Sequence, residues 1–232
     1  YTDLEATKAR DAAGNVIIGP NGQEVFMRFN YPNTDYVFQP GDAIYEDINH
    51  DGNIDSRDVV YLGNSNPKLS GGFGPSISYD KFKVLMYFTY RLNYDIVNGA
   101  EMNTTNMYGW SNQSTAVLSR WRNPGDVTDM PRAVFGDPNN NRRVSDRFVE
   151  DASYVRLKNV TFGYTFPTKL LEKVKMRSAR IYVTGQNLLT FTNYTYWDPE
   201  VNADSFDSNI AKGNDFYTSP QPRTILFGVN VG

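Results

Sequence analysis

At 232 residues the chain has the length of one or two domains. With no cysteine and a single histidine, His50, it cannot build a disulfide framework, a thiol-based active site or a Cys/His zinc centre. A net charge of −3 offers no basic face to phosphates, so no nucleic-acid partner is expected.

The apolar runs fall well short of the ~20 residues of a membrane-spanning helix. Alternating strands of a transmembrane barrel, however, average to a polar hydropathy, and the mean hydropathy here is −0.54 with 14% aromatic residues. Tyr1-Thr2-Asp3-Leu4-Glu5 has neither the basic start nor the apolar centre of a signal peptide, which reads as a mature fragment or a piece of a longer chain.

Residues 1–66 are punctuated by Ala13-Gly14-Asn15, Gly19-Pro20-Asn21-Gly22, Tyr31-Pro32-Asn33 and Gln39-Pro40-Gly41-Asp42. Such clusters predict a loop region with small hairpins at most. Within it, Asp47 to Asp58 follows the grammar of a calcium loop. Asp47, Asn49 and Asp51 would offer side-chain oxygens, Gly52 the sharp turn, Asn53 its carbonyl, Asp55 a direct or water-borne ligand, and Asp58 the closing carboxylate. One structural Ca²⁺ is the expectation, since a hard cation takes oxygen ligands in irregular geometry. A dockerin repeat shares this pattern but occurs as two copies, each followed by a helix, whereas here Val59-Val60-Tyr61-Leu62-Gly63 follows a single copy.

From Leu69 the pattern alternates strictly. Leu69 to Tyr79 and Phe82 to Tyr94 predict two strands joined by a turn at Asp80-Lys81. Residues 97–150 break the alternation, with a helix expected from Asn112 to Trp121 behind a Ser111 cap. Ala152 to Phe166 returns to strand with a change of parity that calls for a bulge near Lys158-Asn159. Leu170 to Val174 suits one helical turn; Ala179 to Asn193 and the segment from Arg223 suit two more strands, with loop over 195–221. Phe82, Val84, Met86, Phe88, Ile225, Phe227 and Val229 should share a lipid face, opposite Lys83, Arg91, Arg180 and Gln186.

Connectors of about two, fifty, ten and thirty residues alternate short and long. Outer-membrane barrels pair short periplasmic turns with long extracellular loops in this way. A secreted β-sandwich explains the alternation of side chains but not that of the connectors. Five strands cannot close a barrel, whose smallest forms have about eight, so a larger barrel must supply the rest. The long loops carry Trp110, Trp121 and Trp197, with Tyr196 beside the last, residue types that anchor interfaces and stack on sugars. Asp126 with Asp129, and Asp198 with Glu200, have the spacing of paired acids but no recognisable cleft, and are expected to be solvated or turn-forming.

Several stretches, in order, resemble one family: Pro40-Gly41-Asp42 with the Asp47–Asp58 loop, Leu69-Ser70-Gly71-Gly72, Arg120-Trp121 with Pro124-Gly125-Asp126 and Pro131-Arg132, Ser153-Tyr154-Val155-Arg156-Leu157-Lys158-Asn159-Val160, Thr184-Gly185-Gln186-Asn187-Leu188, and Pro222-Arg223-Thr224-Ile225-Leu226-Phe227-Gly228. The chain is similar to the C-terminal barrel region of SusC/RagA-type TonB-dependent outer-membrane transporters of Bacteroidetes. The resemblance implies an all-β fold: the C-terminal strands of a transmembrane β-barrel of about 22 strands, with long extracellular loops. Residues 1–66 would then be an extracellular loop region and 67–232 barrel strands. It further implies non-enzymatic import of oligosaccharides or peptides, a SusD-like surface lipoprotein as lid, and a plug and TonB contact supplied by sequence outside these residues. An extracellular, calcium-stabilised carbohydrate-binding β-sandwich or dockerin-containing module is the alternative.

Overall fold

The computed structural model describes residues 1–200 and 212–232, so the centre of the loop expected at 195–221 lies outside the described residues. The chain forms two compact units, one of residues 1–62 and 100–148, the other of residues 63–99 and 149–232. The boundary expected after residue 66 thus falls a few residues earlier, and residues 100–148 fold with the N-terminal segment. Each segment has its own small buried cluster, and hydrogen bonds such as Arg132 to Asp42 and Trp121 to the Thr2 carbonyl join the two.

The first unit is mostly turns and bridges. Its regular pieces are β1 (Arg28–Phe29), antiparallel to β2 (Tyr36–Val37) and parallel to β3 (Asn53–Ile54). Met27, Phe29, Phe38 and Ile54 are buried there around Ala9, with Tyr36 and Tyr45 packed against them. The rings of Phe29 and Phe38 meet edge to face at 6.1 Å. The expected helix over 112–121 is only a 3-10 turn, Thr115–Ser119, and its cap is Ser114, whose side chain accepts the Ala116 N–H. Ser111 is three residues too early to reach that turn.

The second unit is a sheet of six antiparallel strands. In chain order they are β4 (Leu69–Phe73), β5 (Ser76–Tyr79), β6 (Phe82–Leu92), β9 (Tyr154–Thr165), β10 (Ala179–Thr192) and β12 (Thr224–Val231); β7 (Asp95–Asn98), β8 (Val149–Asp151) and β11 (Asn214–Asp215) make a separate small sheet. The large sheet runs β12-β10-β9-β6-β4, and β5 also pairs with β6. The expected Leu69–Tyr79 strand is cut in two at Gly74-Pro75, because proline has no N–H for the ladder. The Pro75 carbonyl still accepts from Met86 N–H at 3.0 Å, so the register carries across the break.

Among the described residues there are two short α-helices, α1 (Gly99–Thr104) and α2 (Thr168–Glu172), besides short 3-10 turns. No described helix is long and apolar enough to cross a membrane. The expected bulge is present: Tyr87 faces Asn159 and Phe88 faces Leu157, which leaves Lys158 as the extra residue. The β10 strand has its own irregularity between Gln186 and Leu189, with Asn187 at φ 52.

Candidate functional site

The register sorts the wall into two faces. On one, cross-strand rows read Phe82–Tyr164–Ile181–Val229, Val84–Phe162–Val183–Phe227, Met86–Val160–Gly185–Ile225 and Phe88–Leu157–Leu189. Phe227 is 84% exposed, and Ile181, Phe162, Ile225 and Val229 are exposed as well. No second sheet covers this apolar face among the described residues, as a sandwich would require. In water an apolar area of this size is costly. In a bilayer it is the surface a barrel turns outward.

The other face is mostly polar: Lys83–Gly163–Tyr182–Gly228, Tyr87–Asn159–Gln186–Thr224, and Leu85–Thr161–Thr184–Leu226, where Leu85 and Leu226 are the apolar members. The Thr161 and Thr184 hydroxyls are 2.8 Å apart. Tyr182 lies so close over Gly228 that a Cβ there would meet its ring at 2.1 Å. Glycine is therefore needed at 228 for the aromatic ring to lie flat along the wall.

Past the bulge this polar face holds a buried ion cluster. Arg156, between Thr89 and Thr190 in the register, is 2% exposed. Its guanidinium donates to Asp198 and, at 2.9 Å, to Glu200, which also receives Lys158 at 2.9 Å. Asp198 further accepts the backbone N–H of Gln221 at 3.0 Å and of Glu200 at 2.9 Å. Burial by itself would raise the Asp198 carboxyl, but these hydrogen bonds and the Arg156 charge outweigh it and hold the group below the usual carboxylate range. Tyr94 adds a hydrogen bond from its hydroxyl to the Pro199 carbonyl at 2.8 Å. The cluster staples both arms of the last long loop to the wall.

Of the solvated or turn-forming roles expected for this pair, Asp198 takes the turn-forming one, accepting the Glu200 N–H two residues on, but it is buried and ion-paired rather than solvated. Nothing local in the sequence announces Arg156 as their partner, since they lie 42 and 44 residues away. Asp126 does form turns: its Oδ2 accepts from the Arg122 N–H at 3.0 Å and the Asn123 N–H at 2.9 Å.

In the first unit, stretches quoted separately from the sequence meet. Gly41 has φ +86 and lies under the Trp121 ring, where a Cβ would come within 2.4 Å. Arg132 Nε donates to the buried Asp42 Oδ1 at 2.7 Å, and its backbone N–H donates to the Gly41 carbonyl at 2.7 Å. Asn139 Nδ2 reaches the same Asp42 oxygen at 2.5 Å. Of the four aromatic residues singled out in the loops, Trp121 is a packing residue here, its indole N–H donating to the Thr2 carbonyl at 3.2 Å. Trp110 is 93% exposed beside Phe135. Tyr196 and Trp197 stack on each other at 5.1 Å in the second unit.

The calcium-type loop is ordered by its own N–H groups. Asp47 accepts from Asp51 at 3.2 Å and Gly52 at 2.7 Å, and Asn49 Oδ1 also accepts the Asp51 N–H. Asp51 Oδ1 accepts from Asn53 at 2.9 Å. Asp58 accepts from Ile48 at 2.9 Å and Asp55 at 2.8 Å, closing a capping box with Asp55. Arg57 pairs with both Asp51 and Asp55, at 2.5 and 2.7 Å. The donor chemistry suits a hard cation, whereas among the described residues no three acidic or imidazole side chains gather as a metal-holding group. The segment after the loop, Val59 to Leu62, is exposed and has no regular structure, where a dockerin would continue as a helix.

No protein-family model matches the chain. TonB-dependent receptor P3 of Formosa agariphila is 33% identical over 195 residues, 83% of this chain, and receptor P26 of the same organism is 34% identical over 199 residues, 82% of it. TonB-dependent receptor SusC of Bacteroides thetaiotaomicron is 25% identical over 213 residues, 86% of the chain. The chain spans 19% of the length of each of these relatives. Among solved structures, the RagAB peptide transporter matches 72% of this chain and 17% of its own at TM-score 0.60 and 25% identity. The closed-closed state of the RagAB peptide importer matches 100% of this chain and 22% of its own at TM-score 0.63 and 19% identity, a likeness of fold. The apolar outer face, the short and long connectors and these relatives converge, and the chain belongs to the SusC/RagA-type TonB-dependent receptors, as part of the wall of their transmembrane β-barrel.

Proposed function

We propose that the whole receptor sits in the outer membrane of a Gram-negative bacterium of the Bacteroidetes and imports oligosaccharides or peptides, without chemistry of its own. A SusD-like lipoprotein closes over its long loops, and TonB drives it through a plug encoded outside these residues. The observation that carries the reading is the two-faced sheet, whose apolar side suits lipid and whose polar side suits a hydrated lumen. RagAB is named as a peptide transporter and SusC as a TonB-dependent receptor, which supports the class of activity.

One structural Ca²⁺ at Asp47, Asn49, Asp51, Asn53, Asp55 and Asp58 belongs to the same reading. It rests on the grammar and oxygen chemistry of the loop, and the ion would stiffen the loop rather than catalyse. The import reading is tested by deleting the receptor and measuring uptake of oligosaccharide and peptide digests, with affinity purification of the tagged receptor to identify the lipoprotein. Loss of uptake of one digest and recovery of a lipoprotein is the expected result. Unchanged uptake of both digests overturns it.

A further inference from the structure

A cavity of about 510 Å³ opens on the polar face of the sheet beside the Arg156 cluster, lined by Arg156, Asn187, Thr190, Trp197, Gln221 and Arg223 among others. Three features set it apart from a gap between loops. Trp197 is 61% exposed and braced from behind by Tyr196, a parallel stack with rings 17° apart. Arg223, exposed at the rim, makes no ion pair among the described residues. Two polar atoms of the lining side chains, Arg156 Nε and Asn187 Oδ1, are buried with no hydrogen-bond partner in the protein. One is a donor and the other an acceptor. Asn187 is fixed by its amide Nδ2, which donates to the Pro222 carbonyl at 3.1 Å, and by the left-handed backbone of the β10 irregularity.

Among the described residues no aliphatic side chain lines this cavity; Trp197 and Pro220 are its apolar members. The described lining therefore offers an apolar peptide side chain no pocket. A sugar ring fits the lining better, because it presents one apolar C–H face and a rim of hydroxyls that both donate and accept. We propose that this cavity is a saccharide subsite on the lumen wall, with Trp197 as the stacking platform and Asn187, Arg156 and Arg223 as partners for ring hydroxyls. The assignment rests on the import reading and narrows its cargo to oligosaccharides. The bulge that interrupts β10 is then what places Asn187 at the cavity.

The test uses the full-length receptor in its own outer membrane, in a receptor-null strain carrying either wild type or a variant. Uptake of a plant-polysaccharide oligosaccharide digest and of a casein tryptic digest is measured at limiting concentration, together with receptor level in the membrane. Wild type should restore saccharide uptake. Trp197→Ala should raise the half-saturating concentration about tenfold, the loss of about one stacking contact, while Trp197→Phe keeps most of the affinity and Asn187→Leu loses it in the same direction. Val127→Ala, at an exposed position of the first unit, should behave as wild type. Restored uptake of the casein digest alone overturns the saccharide assignment and leaves import standing. Saccharide uptake unaffected by Trp197→Ala and Asn187→Leu, at normal receptor level, overturns the subsite alone. A receptor that restores neither digest overturns the import reading together with the subsite.

Discussion

Phe227 and Asn230 lie three residues apart on β12 and project from opposite faces of the wall, Phe227 across from Val183 in the apolar rows and Asn230 across from Arg180 on the polar side. In a barrel this small separation is the difference between hydrocarbon and water. A charge on the lipid face near the bilayer midplane costs about 2–4 kcal/mol, and little on the lumen side. Phe227→Arg should therefore lower the amount of folded receptor in the membrane far more than Asn230→Arg, as read by heat-modifiable gel mobility of the full-length protein. Equal tolerance at the two positions would count against the assignment of faces.

Arg132 neutralises Asp42 inside the first unit, where the carboxylate side chain is 0% exposed. Arg132→Met leaves that carboxylate buried with only neutral donors, a loss of about 3–5 kcal/mol. The expected result is rapid proteolysis within residues 1–62 and 100–148 of the full-length receptor, with barrel assembly retained. The double variant Arg132→Met with Asp42→Asn should recover part of the resistance, because it no longer buries an unpaired charge. Wild-type resistance in the single variant would show that the pair does not hold the unit.

The Arg156–Asp198 staple has a defined pH signature. The folded state holds Asp198 below its ordinary range, so its contribution is fully present above that range, near pH 4, and is lost as pH falls through the depressed value. Hydrogen exchange of the Glu200 and Gln221 amides, which donate to this carboxylate, should stay slow relative to the intrinsic rate from neutrality down to about pH 4 and lose protection only below. Arg156→Met should abolish that protection at neutral pH. Loss of protection already near pH 6 would contradict the account of this carboxylate.

If the Asp47–Asp58 loop holds its ion, chelation should speed hydrogen exchange over residues 41–66 and leave the strands unchanged, and Asp47→Asn should make the loop insensitive to chelator. The same protection with and without calcium would assign the order of this loop to its own N–H groups and Arg57.

The wall was readable in the sequence because strand burial repeats every second residue. The alternation of Phe82 to Leu92, and the shift of parity that places the bulge at Lys158, follow from that period alone. Gly74-Pro75, inside an otherwise alternating run, is where the pattern hid a break. The first unit was less legible. Its core is assembled from two-residue strands and residues far apart in the chain, such as Ala9, Phe29, Phe38 and Ile54, with only short alternating stretches such as Val25 to Tyr31 among them. Its closure depends on Asp42 meeting Arg132, 90 residues away. The cavity beside Trp197 combines both cases: the tryptophan was conspicuous as a type, but Arg156 and Asn187 became part of a site only through strand register.

The most direct test of the central claim, that this sheet is a barrel wall with lipid on one side and water on the other, is a spin-label scan of β12 in the full-length receptor reconstituted into liposomes. No cysteine is present in these 232 residues to interfere with local labelling. Labels at Ile225, Phe227 and Val229 should be relaxed by oxygen, which partitions into lipid, and labels at Thr224, Leu226 and Asn230 by a water-soluble nickel chelate. That alternation, residue by residue, is the predicted result; accessibility to the chelate at all six positions, or an alternation of the opposite phase, would contradict the account.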